Sequence, residues 1–208
     1  MKYLFILFIF ISQSVSAQYQ EGDLLFQDCD CGAMCDAIES VTFARNNARF
    51  SHIAIVVKDE NEQLQALEAN VNGVVMVPVE QFVYRYKTRE GNPTIAIGRL
   101  DDKYNDLIPK AVSFVKSKLG MPYDTVFLLN NKMYYCSELI YEAFRFANQN
   151  KDFFKLYPMT FKDIKTKKFH PEFEAYYQKM QIPIPEGKMG LNPGSISRDI
   201  RLKISFLY

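Results

Sequence analysis

The sequence has almost no net charge and no long hydrophobic run. It carries 25 Lys and Arg residues against 24 Asp and Glu residues, which gives a formal charge of +1. We therefore expect no nucleic acid partner, because surfaces that bind nucleic acid depend on an excess of Lys and Arg. The N-terminal apolar run, Tyr3 to Ile11, is too short to span a bilayer comfortably.

The short apolar run is typical of a secretory signal peptide. It follows Lys2, and Val15-Ser16-Ala17 supplies small residues at the expected cleavage positions. We expect residues 1–17 to be removed, and residues 18–208 to form one exported domain, periplasmic or extracellular. A retained anchor is the alternative, although polar residues 12–14 interrupt the run. No cysteine closely follows the cleavage site, so lipid attachment there is not indicated.

Cysteine is scarce, with four residues in the chain. Cys29, Cys31 and Cys35 cluster, but their C-x-C-x3-C spacing is not a standard zinc pattern, so we expect no metal and no other cofactor. In an oxidising compartment a disulfide within the cluster is favoured, and Cys31 and Cys35 would lie one helical turn apart if that stretch is helical. Cys136 would then stay free, together with one further thiol.

Short runs rich in apolar and β-branched residues predict five strands. Short polar turns join most of them, and such connections favour an antiparallel sheet. The predicted strands are residues 22–27, 51–57, 63–69, 73–77 and 94–100.

Helical periodicity appears in the remaining segments. A short helix is predicted near residues 36–42 and another piece after Pro78, and a longer helix over residues 105–119 has Pro109 near its start. Residues 150–190 mix lysines, aromatics and prolines without one period, which indicates an insertion with short helices. The fold class is therefore α+β, an antiparallel sheet or small barrel packed against helices.

Cys136 stands at the start of a predicted amphipathic helix. The apolar positions that follow it have the three-and-four spacing of a helix that packs along one side; they are Leu139, Ile140, Ala143, Phe144 and Ala147. The first N–H groups of a helix favour a thiolate. Cys136 is thus a candidate nucleophile, and a small buried core residue is the alternative.

A nucleophilic cysteine needs a base, and the chain has only two histidines. His170 lies in a polar stretch before a proline and is predicted to be a surface residue. His52 opens a predicted strand. If the following hairpin has a three-residue loop with Asn61 in the left-handed conformation, His52 lies directly opposite Glu68. A carboxylate in that position would orient the imidazole and stabilise the imidazolium.

These segments resemble a known family of enzymes. Residues 22–26, 52–56 and 67–69 look like strand motifs of NlpC-type cell-wall cysteine peptidases, and residues 119–123 followed by 136–140 resemble that family's nucleophile region. Here the cysteine helix follows the histidine strand. That order is similar to the circularly permuted, YiiX-like branch of the family. The resemblance covers most of residues 22–147.

The resemblance implies a papain-like fold and a cysteine hydrolase. Cys136 would be the nucleophile, His52 the general base and acid, and Glu68 the orienting residue. Tyr123 matches a tyrosine that lines the family's site, where its hydroxyl would stabilise an oxyanion together with the Cys136 N–H; a packed aromatic is the alternative. Tyr135 would also position the substrate. It replaces the usual aspartate, while Glu138 replaces a common glycine, so the substrate pocket need not be that of the cell-wall enzymes.

Several substrates and functions fit the same residues. An exported enzyme of this kind could cleave a peptidoglycan peptide. The permuted order and the aromatic-rich insertion also suit an amide or ester of an acyl lipid, with peripheral membrane contact, or transfer of the acyl group. The aromatics of the insertion are Phe153, Phe154, Tyr157, Phe161 and Phe169. A non-catalytic module that binds cell-wall or lipid ligands is the alternative from another class. A loop over the site is expected at residues 190–194.

Overall fold

The computed structural model describes residues 18–207, so the predicted signal peptide lies outside the described residues. The strands of this part of the chain are β1 (Leu24–Gln27), β2 (His52–Lys58), β3 (Leu64–Asn70), β4 (Gly73–Pro78), β5 (Ile95–Leu100), β6 (Tyr157–Pro158), β7 (Met189–Gly190) and β8 (Leu202–Leu207). Six of them form one sheet in the order β4-β3-β2-β1-β5-β8, and every neighbouring pair is antiparallel, as predicted. Strands β6 and β7 pair separately.

Helices cover both faces of the sheet. They are α1 (Ala33–Val41), α2 (Val79–Val83), α3 (Ile108–Lys116), α4 (Cys136–Ala147), α5 (Pro171–Met180) and α6 (Pro193–Ser197), with 3-10 turns at Arg45–Asn47 and Asp102–Leu107. Ile53, Ile55 and Val57 of β2 belong to the main apolar cluster with α3 and α4. Ala54 and Val56 pack on the opposite face with α2. The alternation of side chains along the strand explains why β2 is buried on both sides.

A further apolar cluster lies away from the sheet, between α1 and α5. Its buried members are Ala37, Phe161, Phe173 and Tyr177. Phe127 is partly buried and packs against both this cluster and the main one. The insertion therefore has its own small core. The short helices predicted for the insertion correspond to α5. Strands β6 and β7 lie on either side of α5 in the chain.

The predicted helix over residues 105–119 is divided in two. A 3-10 turn, Asp102–Leu107, precedes α3, which has Pro109 in its first turn. Proline has no N–H to donate within a helix, so it is tolerated at this position and the α-helix begins beside it. Helix α3 ends at Lys116, three residues before the predicted end, and a turn over residues 117–120 follows, in which Gly120 has φ +81°.

The hairpin between β2 and β3 has a different register from the predicted one. Lys58 pairs with Leu64, not with Glu62, and Glu62 is the residue with positive φ. The Asp59 carboxylate accepts hydrogen bonds from the N–H groups of Asn61 and Gln63 at 2.8 and 3.0 Å, which stabilises a longer loop. The register differs from the predicted one by two residues, so the same side chains still face the same side of the sheet.

The cysteine cluster contains one disulfide, between Cys31 and Cys35 at the start of α1. Cys29 and Cys136 are free and buried. Strand β8, which pairs with β5, was not among the predicted strands. Within residues 18–207, no helix combines the length and the hydropathy needed to cross a membrane.

Candidate active site

Cys136 is the first residue of α4, as the periodicity predicts. Tyr135 is the N-cap, with extended backbone, and no side chain caps this end of the helix. The Cys136 side chain is close to Ser137, whose Oγ lies 3.7 Å from Sγ. Burial alone would raise the pKa of the Cys136 thiol, but a hydrogen bond to His52, the charge of His52 and contacts from Ser137 lower it. The site therefore favours a thiolate at Cys136.

His52 lies between Cys136 and Glu68. Its Nε2 is 2.5 Å from Oε2 of Glu68, so Nδ1 is the nitrogen left for the thiol. Burial lowers the pKa of His52, but the hydrogen bonds and negative charges of Cys136 and Glu68 outweigh burial and raise the pKa to about 9. The contact between His52 and Glu68 is present despite the different register, because both side chains stay on one face of the sheet. In the observed register the two residues are diagonal neighbours on adjacent strands. His52 is thus held as an imidazolium beside the thiolate.

Glu68 is fully buried and keeps its charge through two partners. Burial would raise its pKa, but hydrogen bonds from His52 and Arg85 lower it to about 2. Arg85 binds the carboxylate with both terminal nitrogens, Nη2 to Oε1 at 2.6 Å and Nη1 to Oε2 at 3.1 Å. Its guanidinium also lies 5.1 Å from the centre of the Phe82 ring. This bidentate contact stabilises the Glu68 carboxylate as an anion.

Arg85 was missed by the sequence analysis. It follows α2 by two residues and is 17 positions from Glu68. No local pattern marks it, because a single arginine after a short helix has no periodicity or motif. Only the return of the chain from β4 through α2 brings it beside Glu68.

The two predicted positioning tyrosines line the pocket next to Cys136. Burial and the nearby Cys136 thiolate raise the pKa of Tyr123, so its hydroxyl stays protonated and can donate. Tyr135 is 3% exposed and accepts a hydrogen bond from the Leu191 N–H at 3.4 Å. Its ring packs edge-on against Phe127, with ring centres 5.7 Å apart. Tyr135 thus forms part of the pocket wall, and its hydroxyl holds the segment at Leu191 in place through this hydrogen bond.

The segment after β7 lies over the site, where a loop was expected. Leu191, Asn192 and Pro193 line the pocket that contains Cys136. Asn192 caps α6: its side chain accepts from the Ser195 N–H at 2.7 Å. Gly194 allows close approach to the Phe43 carbonyl, which a Cβ would meet at 2.7 Å. Capping and this close packing fix the segment in place.

Cys29 offers a natural comparison with Cys136, because each side chain is 7% exposed. Its N–H donates to Ser51 Oγ at 2.9 Å. Burial raises the pKa of the Cys29 thiol to about 12, although a hydrogen bond with Ser51 opposes this. The chain therefore contains two equally buried free thiols whose pKa values move in opposite directions.

His170, the other histidine, lies away from this cluster. It is the N-cap of α5, and its Nδ1 accepts a hydrogen bond from the Glu172 N–H at 3.3 Å. The side chain is partly buried, so it is less exposed than predicted. Its role is local, because capping satisfies one N–H at the start of the helix.

Glu138 is buried on α4 beside the site. Burial and the negative charge of Asp124 raise its pKa to about 8, against hydrogen bonds from the N–H groups of Asn130 and Tyr135. Its Oε2 has no hydrogen-bond partner among the described residues. The folded protein thus favours the neutral form of the Glu138 carboxyl group over its carboxylate.

The Glu138→Gln variant is expected to become more stable than the wild type as the pH rises. Folding raises the pKa of Glu138 from about 4.5 to about 8. The free energy of unfolding of the wild type therefore falls as the pH rises between these two values. Glutamine stays neutral throughout. We expect the melting temperature difference, variant minus wild type, to increase by at least about 7 °C between pH 5 and pH 8.5. Thermal unfolding at the two pH values measures it, and a constant difference would contradict the assignment.

A solved structure has the same fold. The chain is similar to the crystal structure of the metalloprotein yiiX from Escherichia coli O157:H7, with a TM-score of 0.72 and 21% sequence identity. The match covers 92% of this chain and 98% of that one. A search of curated proteins gives no match.

A metal ion does not fit the donors of the described residues. Within residues 18–207, no three His, Cys, Asp or Glu side chains cluster closely enough to hold one. Cys31 and Cys35 are joined to each other, and both Glu68 oxygens are bound by His52 and Arg85. We therefore derive no reaction step through a metal.

The family comparison covers nearly the whole described chain. A family model matches residues 18–204, and its description is permuted papain-like amidase enzyme, YaeF/YiiX, C92 family. This confirms the resemblance inferred from the permuted order of the motifs. The chain therefore belongs to the family of permuted papain-like amidases.

Proposed function

We propose that this protein is an exported cysteine amidase that uses Cys136, His52 and Glu68. The observation that carries the proposal is the contrast between its two buried free cysteines. Cys29 has a thiol with a raised pKa, whereas Cys136 hydrogen-bonds to a histidine that is in turn bound to a buried carboxylate. This is the arrangement that activates a thiol nucleophile.

The reaction starts from a thiolate and imidazolium pair. The Cys136 thiolate attacks the carbonyl carbon of the amide, and the carbonyl oxygen becomes an oxyanion. The Cys136 N–H, at the start of α4, and the Tyr123 hydroxyl are the proposed donors to that oxyanion. His52 then gives its proton to the leaving nitrogen, the C–N bond breaks, and an amine departs.

Hydrolysis of the thioester completes the cycle. Neutral His52 takes a proton from water, and the resulting hydroxide attacks the acyl carbon. The C–S bond breaks, which returns the Cys136 thiolate beside the His52 imidazolium and releases the acid. Glu68, kept anionic by Arg85, stabilises the imidazolium whenever it forms.

The proposed substrate is the amide of a peptidoglycan peptide or of an acyl lipid. Export rests on the signal-peptide pattern of residues 1–17, and an exported amidase would meet both compounds. Peripheral contact with a membrane is part of the lipid alternative.

Alkylation by iodoacetamide tests the proposed nucleophile within a single protein. At pH 7 we expect Cys136 to be modified at least about 100-fold faster than Cys29, because only the thiolate reacts. Mass spectrometry of the digested protein reports both sites. The two residues have the same exposed fraction, 7%, so overall burial does not by itself predict a difference in rate.

Histidine variants provide the matched control for this experiment. His52→Ala should slow the modification of Cys136 by about tenfold or more, while His170→Ala should leave it unchanged. Modification of Cys136 at the rate of an ordinary thiol, insensitive to His52→Ala, would reject the enzyme and favour a binding module.

A further inference from the structure

A separate pocket lies between β6 and the C-terminal end of α6. It encloses about 570 Å³, part of it open to solvent, and it shares no residue with the pocket beside Cys136. Phe154 and Ile196, each 1% exposed, contribute apolar surface to its lining. The proposed reaction uses none of the residues that line this pocket, so it lies outside the reacting machinery.

Two cationic side chains line this pocket without a counter-ion. Lys155 and Arg198 are both exposed, and within residues 18–207 neither of them forms an ion pair. The Lys155 ammonium lies 5.1 Å from the centre of the Tyr157 ring, which lines the same pocket. A contact with an aromatic face positions the ammonium but leaves its charge uncompensated. Both charges therefore remain available to a ligand.

The negative groups around the pocket are already bound. Asp199 is the only carboxylate among the described residues that line it, and its Oδ1 accepts hydrogen bonds from Nε and the N–H of Arg201 at 2.7 and 3.0 Å. Arg45 binds carbonyl groups at the end of α6: its Nε donates to Ser197 at 2.9 Å, and its Nη2 donates to Asp199 at 2.8 Å. Without these partners, the carbonyls would repel an anion.

The pocket consequently has an excess of positive charge in a protein that has almost none. Four cationic side chains lie in or against it and one carboxylate opposes them; the cations are Arg45, Lys155, Arg198 and Arg201. The whole chain, by contrast, has a formal charge of +1. A local excess of positive charge attracts anions. Arginine matches the oxygens of a phosphate group with paired N–H donors, and lysine adds a second positive charge.

We infer that this pocket binds a phosphate group through Arg198 and Lys155. The apolar surface of Phe154 and Ile196 receives the carbon atoms next to the phosphate, so an organic phosphate fits better than inorganic phosphate. Its source is either the headgroup of an anionic phospholipid or a soluble phosphate ester. The inference is independent of the proposed function, because the pocket contains none of the reacting residues.

Ile200 distinguishes the two sources of the phosphate. It is 90% exposed in the turn that follows α6, directly after Asp199. At a membrane surface its side chain would insert among lipid atoms, beside the cations that bind the headgroups. A soluble ester has no part that requires an exposed isoleucine. Replacing Ile200 with a polar residue should therefore weaken binding only if the ligand is a phospholipid.

Titration with sn-glycerol 3-phosphate, followed by NMR of the ¹⁵N-labelled protein, tests the site. The amide signals of residues 154–157 and 195–199 should shift and saturate together, because a single site fills. Glycerol has the same carbon skeleton without the phosphate and should cause no shifts. Shifts that spread over the surface without saturation would contradict binding in this pocket.

Neutral variants test the two cations. Arg198→Gln and Lys155→Gln should each raise the Kd for glycerol 3-phosphate by about tenfold or more, since each removes a charge-assisted hydrogen bond. Arg89→Gln and Lys110→Gln are the matched controls, because both residues are exposed and lie outside the pocket. The controls should leave the Kd within about twofold of wild type, since solvent and salt screen distant charges.

Sedimentation with vesicles identifies the source of the phosphate. Vesicles of phosphatidylcholine are compared with vesicles of phosphatidylcholine and phosphatidylglycerol in equal parts. A phospholipid ligand predicts binding to the mixed vesicles alone, weakened about fivefold by Arg198→Gln or Lys155→Gln. Ile200→Ser should also weaken it, without a change in the Kd for glycerol 3-phosphate. A soluble ester predicts binding of glycerol 3-phosphate and of neither kind of vesicle.

The inference fails if neither probe binds, or if Arg89→Gln and Lys110→Gln weaken binding as much as the pocket variants do. In the second case, the protein attracts anions through its surface charge as a whole. The amide spectra of the variants verify that they are folded. Alkylation of Cys136 tests the proposed function separately, and the pocket variants should leave its rate unchanged.

Discussion

Cys136→Ala is expected to reduce amide hydrolysis by at least about 10⁴-fold in kcat. The variant keeps His52 and Glu68 but has no atom that can form the thioester. Water would have to attack the amide directly, without the covalent intermediate that divides the barrier into two smaller ones. Release of amine from an amide that the wild type cleaves, followed over time, measures the loss.

Cys29→Ala is the matched control for that substitution. Cys29 is as buried as Cys136, but its thiol has a raised pKa. The substitution retains the hydrogen bond from its N–H to Ser51 and removes only the contacts of the thiol with Ser51 and with Oε1 of Gln27. We expect its kcat to stay within about threefold of wild type. Hydrolysis that persists in Cys136→Ala, or that disappears in Cys29→Ala, would assign the reaction to another nucleophile.

Glu68→Gln is expected to lower kcat/KM by about 10³-fold and to change the pH profile. The amide preserves the shape of the side chain but removes the negative charge that stabilises the His52 imidazolium. In the wild type, the pKa of His52 is about 9, so the protonated acid that the leaving amine requires is lost as the pH rises through about 9. In the variant, this alkaline limb should move to lower pH.

The pH profile separates an electrostatic role of Glu68 from a purely structural one. Arg85 loses its anionic partner in Glu68→Gln, so the variant should also be about 2 kcal/mol less stable. Rates are therefore compared at a temperature at which both proteins are folded. A reduced rate with an unmoved alkaline limb would mean that Glu68 maintains the structure without setting the pKa of His52.

Local sequence patterns were sufficient to predict the start of α4. Helical periodicity extends over two turns after Cys136, and it depends only on neighbours in the sequence. The strands β1 to β5 were found for the same reason. Strand β8 was missed because it pairs with β5 through residues about a hundred positions away.

The contact between His52 and Glu68 was expected from a register of β2 and β3 that differs by two residues from the observed one. Side chains alternate with a period of two, so an error of two residues preserves which face a side chain occupies. An error of one residue would have separated Glu68 from His52. The loop length itself depends on the Asp59 carboxylate and its hydrogen bonds, which residue preferences for turns do not specify.

Arg85 and the walls of the pocket beside Cys136 could not be predicted. The Arg85 contact needs the path of β4 and α2, and the pocket needs α1 and the insertion to meet. Neither the spacing nor the composition of residues 150–190 indicates which aromatics enter the main core and which line the pocket beside Cys136. These features follow from tertiary packing alone.

The small core between α1 and α5 lies beside the site without containing its reacting residues. Cys136 and its helix are anchored in the main apolar cluster, whereas Phe161 and Phe173, which line the pocket beside Cys136, belong to the smaller cluster. Phe127 is packed against both. Substitutions confined to the smaller cluster are therefore expected to change the shape of this pocket while the packing that holds the Cys136 helix stays intact.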